Sequence, residues 1–254
     1  MKNEYYKIAV TLLLMSLAIN PVKSSGSFDS KSAGRGPVFS INDVPFNSKD
    51  IPVVITNTKI KKHDAPVALI ISGDGGWFRF EQQLADKLAT YGIPSVGLDS
   101  RKYFWNRKTP EETANDIAEE LSHYLQFWGH DSILLVGYSL GAEIVPFIYN
   151  RLSQVMKEKV VSAVLLSPDV STDFEIHITN MMGLGNKQNT YDVIGEIKKM
   201  KGLKTILIFG AGEKSKVPAL LKGSGVSINV IPGDHHYKFD LPLIMQTIIE
   251  NKAF

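Results

Sequence analysis

The chain has 254 residues, of which 44% are hydrophobic and 21% charged, a composition typical of a globular protein with enough length for one large domain. The formal net charge is +2, from 28 Lys and Arg against 26 Asp and Glu, which is too small to indicate a nucleic-acid partner. The sequence contains no cysteine, which excludes disulfides and a lipid anchor on cysteine.

The first 25 residues differ in kind from the rest. Lys2 and Lys7 lie in a polar start, residues 8–19 are almost wholly apolar, and Asn20-Pro21 ends the run. A run of about a dozen apolar residues is too short to span a bilayer comfortably and is typical of a secretory signal peptide. We therefore expect a cleaved signal peptide over 1–24, with an uncleaved anchor as the alternative, and a flexible lead-in over 25–37.

Strands and helices alternate along the remaining chain. Short apolar runs predict strands, and apolar residues at helical spacing predict helices. The predicted strands are 38–41, 52–56, 67–71, 93–98, 133–137, 160–166, 204–209 and 226–231, and the predicted helices are 80–91, 110–128, 142–150 and 241–251. This order indicates an α/β fold with a mostly parallel central sheet, helices on both faces and one domain over 38–254. The less regular segment 169–202 is expected to be either a lid or a loose connection.

A Gly-x-Ser-x-Gly motif lies where a predicted strand becomes a helix. Gly137 and Gly141 flank Ser139 at the spacing that lets strand and helix pass close to the serine. The pentapeptide alone arises by chance in many chains, but its place between strand and helix favours a nucleophile. A helix N-terminus beside the hydroxyl would favour developing negative charge.

A serine nucleophile needs a base and an acid that orients the base. In α/β-hydrolase sheets these follow the serine in the order acid, histidine. His235 and His236 follow the last predicted strand, so either can be the base, and we prefer His236 slightly. Glu213, just past a strand that ends in glycine, is the preferred acid and Asp169 the alternative.

The oxyanion of an acyl-transfer reaction needs two N–H donors. We assign them to Leu140, which follows the serine, and to Asp74, in the glycine-rich turn after the strand 67–71. Four residues adjacent in sequence to these groups are expected to bind the substrate, namely Gly75, Gly76, Trp77 and Tyr138. The turn lacks a nucleotide-binding pattern, and no residue spacing suits a metal, so we expect no cofactor.

The predicted loop 100–108 mixes basic and aromatic residues. Its basic residues are Arg101, Lys102, Arg107 and Lys108, and its aromatic residues are Tyr103, Phe104 and Trp105. Such a mixture suits a membrane interface with anionic headgroups. The alternative is a solvated loop whose aromatic side chains pack under the following helix.

Several segments together resemble the bacterial virulence protein VirJ/AcvB family. They are Ser-Gly-Asp-Gly-Gly-Trp at 72–77, Lys-Thr-Pro-Glu at 108–111, Gly-Tyr-Ser-Leu-Gly-Ala-Glu at 137–143 and Gly-x-His-His at 233–236. The resemblance covers nearly all of the chain from residue 67 onward. It implies an α/β-hydrolase fold and an exported, periplasmic protein, linked in some bacteria to type IV secretion.

The same resemblance implies an activity. AcvB-type relatives cleave the aminoacyl ester of aminoacylated phosphatidylglycerol, so we expect a serine hydrolase whose partners are this anionic lipid, the membrane surface and secretion-system proteins. The alternative is a non-catalytic accessory protein of secretion on a hydrolase scaffold. The relatives carry a more acidic run where this chain has Gly-Ala-Gly-Glu at 210–213, which leaves the identity of the acid open.

Overall fold

A computed structural model of the chain describes residues 50–176 and 191–254. Several predictions lie outside the described residues: the signal peptide, the lead-in, the strand at 38–41 and the part of the segment 169–202 between 177 and 190.

The strands of the described residues are β1 (Val53–Thr56), β2 (Val67–Ile71), β3 (Ser95–Leu98), β4 (Ile133–Tyr138), β5 (Val160–Leu166), β6 (Ser171–Thr172), β7 (Tyr191–Asp192), β8 (Lys204–Gly210) and β9 (Ser227–Ile231). Seven of them form the central sheet, in the order β1-β3-β2-β4-β5-β8-β9. All neighbours in the large sheet are parallel except the edge strand β1, which runs antiparallel to β3. The predicted α/β fold with a mostly parallel sheet is thereby confirmed.

Helices connect the strands, as predicted. They are α1 (Arg79–Ala89), α2 (Ser100–Tyr103), α3 (Pro110–Trp128), α4 (Leu140–Arg151), α5 (Gln154–Lys159), α6 (Val193–Lys199), α7 (Val217–Leu220) and α8 (Leu241–Glu250), with a 3-10 turn at Tyr237–Phe239. The boundaries of α3 follow from its sequence: Thr109 and Glu112 form a capping box, and Gly129 ends the helix in the left-handed conformation. None of the helices in 50–176 and 191–254 is long and apolar enough to cross a membrane.

Apolar side chains from alternate strand positions fill a core on each face of the sheet. In β2, Leu69 and Ile71 pack into one core, whereas Ala68 and Ile70 pack into the other. Because both faces are covered, the strands are continuous apolar runs instead of alternating patterns. Because these strands run parallel, every loop that follows one of them emerges at the same edge of the sheet. The predicted site residues lie in these loops.

Among the helices of the described residues, α2, α5, α6 and α7 were not predicted, and two of these lie in segments expected to be irregular. The loop 100–108 begins with the helix α2, whose N-terminus is capped by the carboxylate of Asp99 accepting the Lys102 N–H at 3.3 Å. The segment 169–202 contains β6, β7 and α6, and Asp192 caps α6 in the same way. A single capping carboxylate can start a helix too short to show a hydrophobic period. In the described part of this segment, Phe174 and Ile197 are buried in the core.

The close packing of α4 on β2 yields a first prediction. A Cβ atom at Gly141 would overlap the carbonyl of Ile71, so Gly141→Ala must displace helix from strand. We expect this substitution to lower the free energy of unfolding by about 3 kcal/mol or more, as for an overpacked core. Urea unfolding followed by circular dichroism measures the loss.

Gly202→Ala is the control for this prediction. Gly202 has a positive φ of 85° but no neighbouring atom within 4 Å of an added Cβ. The control should lose only about 1 kcal/mol, the cost of the left-handed conformation. Equal losses for the two variants would contradict the steric explanation.

Candidate active site

Ser139 lies at a strained turn between β4 and α4. Its φ of 51° and ψ of −117° place a non-glycine residue in a sparsely populated region, which the surrounding structure must enforce. Enforcement comes from the flanking glycines, because a Cβ at Gly137 would overlap the backbone of Gly141. The motif thus holds the serine hydroxyl out at the edge of the sheet, as its spacing predicts.

An imidazole and a carboxylate extend from Ser139 in a hydrogen-bonded chain. The Nε2 atom of His235 lies 3.0 Å from the Ser139 Oγ, and its Nδ1 lies 3.2 Å from Oε2 of Glu213. Because a carboxylate only accepts, the Nδ1 carries the proton of that bond, which leaves Nε2 of the neutral ring as the acceptor for the serine hydroxyl.

Backbone crossings bring the acid and the histidine together. The Gly212 N–H donates to the Gly233 carbonyl at 2.8 Å, which ties the loop after β8 to the loop after β9. Gly210 lies against the backbone of Asp234 so closely that a Cβ would overlap it. Glycine at these positions therefore sets the distance between Glu213 and His235.

The structure brings His235, and not the sequence-preferred His236, within hydrogen-bond distance of Ser139. His236 is exposed, and its Nδ1 lies 2.6 Å from the Tyr138 hydroxyl instead of reaching Ser139. The two neighbouring rings are inclined at 78°, with centroids 5.5 Å apart. Consecutive residues of a tight turn project in different directions, and the spacing from the preceding proline does not reveal which of them faces the serine.

The Glu213 carboxylate is nearly buried and fully engaged. Its side chain is 10% exposed, and its Oε1 accepts hydrogen bonds from the Gly210 N–H at 2.5 Å and from the Ser167 hydroxyl at 2.6 Å. The alternative acid, Asp169, accepts the N–H of Val170 at 2.7 Å instead, and it is Glu213 that bonds His235.

These contacts shift the pKa of both Glu213 and His235. Burial opposes ionisation of Glu213, but hydrogen bonds from His235, Ser167 and Gly210 outweigh it and lower the pKa of the carboxyl. The hydrogen bond to Glu213 raises the pKa of His235 above its ordinary value of 6.5, although burial works in the opposite direction. Asp74 and Glu143 add smaller electrostatic contributions to the same increase.

Sequence reasoning missed two buried residues, Ser167 and Tyr237, that hold the Glu213 carboxylate in place. Ser167, after β5, has a φ of 52°, and its hydroxyl lies 2.5 Å from the hydroxyl of Tyr237. Tyr237 is fully buried and also donates to the Ile208 carbonyl at 2.8 Å. Their only sequence signals are a serine directly after a strand and an aromatic residue two positions past His235, and neither is specific.

Sequence reasoning also missed Glu81, which holds the glycine-rich turn. This glutamate is 3% exposed and accepts the Phe78 N–H at 3.1 Å, and the Gly73 N–H also bonds it. Burial raises the pKa of its carboxyl. The Glu81 carboxylate makes only the returning half of a capping box, because the phenylalanine at the N-cap has no side-chain acceptor and Ser or Thr would have signalled the motif there.

The backbone groups proposed as N–H donors lie around Ser139. Leu140 is the first residue of α4, where an N–H has no partner within the helix. Asp74, Gly75 and Gly76 line the same cavity as Ser139. Trp77 does not line it: its ring covers Gly97 of β3, and its indole N–H donates to Gln82 at 3.0 Å.

Two cavities meet at Ser139 and His235. The larger, of about 710 Å³, lies on the side of the glycine-rich turn and has aromatic walls that include Phe80 and Tyr138. The smaller, of about 510 Å³, is polar and is lined by Glu143, Asp169, Asp234, Lys214 and Glu213, among others. A carbonyl carbon at Ser139 could therefore direct one substituent into each cavity.

The arrangement has the parts needed to activate a serine. A neutral imidazole can take the hydroxyl proton, the buried carboxylate stabilises the resulting imidazolium, and a helix N-terminus lies beside the developing oxyanion.

Solved structures share this fold at low sequence identity. Est1E from Butyrivibrio proteoclasticus superposes with a TM-score of 0.57 and 14% identity over 80% of this chain and 94% of that chain. An alpha-beta serine hydrolase homologue from Coxiella burnetii superposes with a TM-score of 0.56 and 18% identity over 78% of this chain and 90% of that chain. Proline iminopeptidase from Mycobacterium smegmatis superposes with a TM-score of 0.52 and 13% identity over 79% of this chain and 93% of that chain. These likenesses confirm the α/β-hydrolase fold.

Sequence comparison gives the family. No curated protein matches the chain. A model of the family described as bacterial virulence protein (VirJ) matches residues 65–253, which is most of the chain and includes all of the site. The chain therefore belongs to the VirJ family of bacterial virulence proteins.

Proposed function

We propose that this VirJ-family protein is an exported serine hydrolase that cleaves a carboxylic ester in the periplasm. The observation that carries the proposal is the hydrogen-bonded chain from the Ser139 hydroxyl through His235 to Glu213 at a strained strand-to-helix turn. Nucleophile, base and orienting acid stand within hydrogen-bond reach of one another, which is the arrangement that acyl transfer requires.

In the proposed reaction, Ser139 Oγ attacks the ester carbonyl while His235 Nε2 takes the hydroxyl proton. The N–H groups of Leu140 and Asp74 stabilise the oxyanion. The imidazolium then gives its proton to the leaving alcohol as the ester C–O bond breaks, which leaves an acyl-enzyme. Water, deprotonated by the same imidazole, attacks the acyl-enzyme, and the bond from the acyl carbon to Ser139 Oγ then breaks. The imidazolium returns its proton to Ser139 Oγ, which releases the acid and restores the free enzyme.

The substrate that we propose is the aminoacyl ester of an aminoacylated phosphatidylglycerol. Family resemblance suggests this lipid, and the polar cavity supports it. The carboxylates of Glu143, Asp169 and Asp234 line that cavity next to Ser139 and would attract the ammonium group of an aminoacyl chain. The aromatic cavity, with Arg79 in its wall, would take the anionic glycerol-phosphate part.

The first test is the substitution Ser139→Ala. We expect the release of amino acid from aminoacyl-phosphatidylglycerol vesicles, measured by mass spectrometry, to fall about 10⁴-fold or more, because no other group supplies the nucleophile. Labelling by a fluorophosphonate probe should disappear in parallel.

Ser122→Ala is the matched control for this test. Ser122 lies on α3, where its hydroxyl donates to the Ala118 carbonyl and contacts the Met156 sulfur, so hydrolysis and labelling should persist. Labelling of Ser139→Ala at the level of wild type would refute the mechanism. Cleavage of simple soluble esters without cleavage of the lipid would refute only the substrate. A secretion phenotype that survives Ser139→Ala would favour the accessory-protein alternative.

The two adjacent histidines allow a second test. His235→Ala removes the group that bonds Ser139, and we expect kcat to fall about 10⁴-fold. His236→Ala removes a partner of Tyr138 and should change kcat less than about tenfold, a loss typical of a hydrogen bond outside the reaction. Steady-state kinetics on a soluble ester decides between them, and the reverse ranking would assign the base to His236.

The pH dependence gives a third test. The base must be neutral, and its pKa is raised above 6.5, so kcat/KM should rise with pH through a midpoint above 6.5. Glu213→Gln removes the carboxylate that causes the increase. In this variant the His235 imidazole, followed by NMR titration, should lose its proton at a lower pH, while kcat falls about 10³- to 10⁴-fold. An unchanged titration would show that Glu213 does not act on the base.

A further inference from the structure

Beside the cavity of Ser139 lies a surface of exposed aromatic and basic side chains. We call it the aromatic-basic surface and define it by Phe78, Arg79, Arg101, Lys102 and Trp105. A third cavity, of about 600 Å³, joins four of these residues, and Phe78 and Arg79 also line the larger cavity beside Ser139. The surface thus adjoins the entrance to the candidate site.

Trp105 is exposed on an anchored segment. It is 50% exposed, whereas the preceding Phe104 is fully buried and its carbonyl accepts the Ile176 N–H at 2.7 Å. Phe104 also packs edge-on against Phe174, with ring centroids 5.7 Å apart. Because the backbone on its N-terminal side is fixed, the indole is held at the surface instead of turning into the core.

Phe78, in a different loop, is also an exposed ring on a fixed backbone. It is 61% exposed, the second most exposed large apolar side chain among the described residues after Val155. Its backbone N–H is held by the buried carboxylate of Glu81 at 3.1 Å. Two exposed rings from separate segments therefore flank one cavity, a costly arrangement in water unless the rings are covered by a partner.

The charges around these rings are mainly positive. Neither Arg79 nor Arg101 forms an ion pair within residues 50–176 and 191–254. Lys102 bonds Asp99 at 3.2 Å, but the lysine side chain is 73% exposed and the aspartate only 9%. The cations therefore face solvent, and the exposed Asp74 is the acidic residue on the neighbouring rim.

Of the basic and aromatic residues of the loop 100–108 that the sequence suggested for a membrane interface, four are buried or engaged in contacts within the protein. Tyr103 and Phe104 are buried, Arg107 pairs with Glu175 at 2.8 Å, and Lys108 lies over the Tyr103 ring. These four residues are therefore engaged in contacts with other parts of the described chain. The exposed residues of the loop, Arg101, Lys102 and Trp105, lie beside Phe78 and Arg79. These two residues come from the end of the glycine-rich turn and the start of α1, so the sequence of the loop 100–108 could not indicate them.

We propose that the aromatic-basic surface docks the protein on an anionic lipid bilayer, with Phe78 and Trp105 at the headgroup level and the arginines on lipid phosphates. The Trp105 indole has one polar edge and settles in this interfacial zone, while the Phe78 ring buries apolar surface there. Each cation near an anionic membrane strengthens binding. Docking in this orientation turns the entrance of the Ser139 cavity toward the bilayer. The inference rests on the proposed function in taking a membrane lipid as the substrate, but its test requires no hydrolysis.

The test measures binding of the full chain carrying Ser139→Ala to sedimented vesicles. With vesicles of phosphatidylcholine and phosphatidylglycerol, we expect Arg101→Glu to weaken binding about tenfold or more, since it replaces an attractive charge by a repulsive one. Trp105→Ala should weaken it several-fold, and the tryptophan fluorescence of the unsubstituted surface should shift to the blue on docking. Vesicles of phosphatidylcholine alone should bind far less protein.

Matched controls separate this surface from other membrane contacts. Phe127→Ala removes another exposed ring on α3, and Lys201→Glu reverses another exposed charge, so both should leave binding unchanged. Every variant keeps residues 1–24, so an apolar N-terminus cannot cause a difference between them. Equal binding by all four variants, or equal binding to neutral vesicles, would overturn the proposal.

Hydrolysis of a soluble ester, measured with Ser139 restored, keeps the two proposals apart. Arg101→Glu and Trp105→Ala should retain this activity. Surface-dependent vesicle binding by a protein that hydrolyses no ester would support docking and reject the hydrolase. Ester hydrolysis without such binding would reject docking alone.

Discussion

The carboxylate of Glu213 is the group on which the geometry of the candidate site depends. It lies nearly buried at the carboxyl edge of the sheet and joins three loops that are distant in sequence: it accepts from Gly210 at the end of β8, from Ser167 after β5 and from His235 after β9. A buried charge is tolerated only when its lone pairs are satisfied. Satisfying this one therefore requires that the three loops converge, and their convergence places the imidazole of His235 beside Ser139.

The fold follows from patterns that are strong in the sequence. Parallel strands covered on both faces are continuous apolar runs, so β2, β4 and β5 are recognisable without any tertiary information, and Thr109 with Gly129 marks the two ends of α3. The short helices α2 and α6 were not predicted because each depends on one capping aspartate instead of a hydrophobic period. Local preference thus suffices for the long elements and fails for those of one or two turns.

For the site, the sequence indicates which loops meet, but the direction of individual side chains depends on tertiary contacts. Spacing could not distinguish His235 from His236, because the turn that directs one imidazole at Ser139 and the other at Tyr138 is shaped by the Gly210 and Gly233 crossings. Glu81 and Ser167 were missed for a related reason. Their contacts with the glycine-rich turn and with Glu213 join residues of ordinary type, and only the folded chain brings them together.

Tyr237 has a consequence for the energetics of the proposed reaction. Its buried hydroxyl donates to the Ile208 carbonyl and lies 2.5 Å from the Ser167 hydroxyl, so the turn that carries His235 is fastened to the sheet two residues further along. Positive charge that forms on the imidazole then meets a carboxylate whose partners are already in place. Little reorganisation of dipoles accompanies proton transfer, which is the condition under which a polar site lowers a barrier instead of merely binding its ligand.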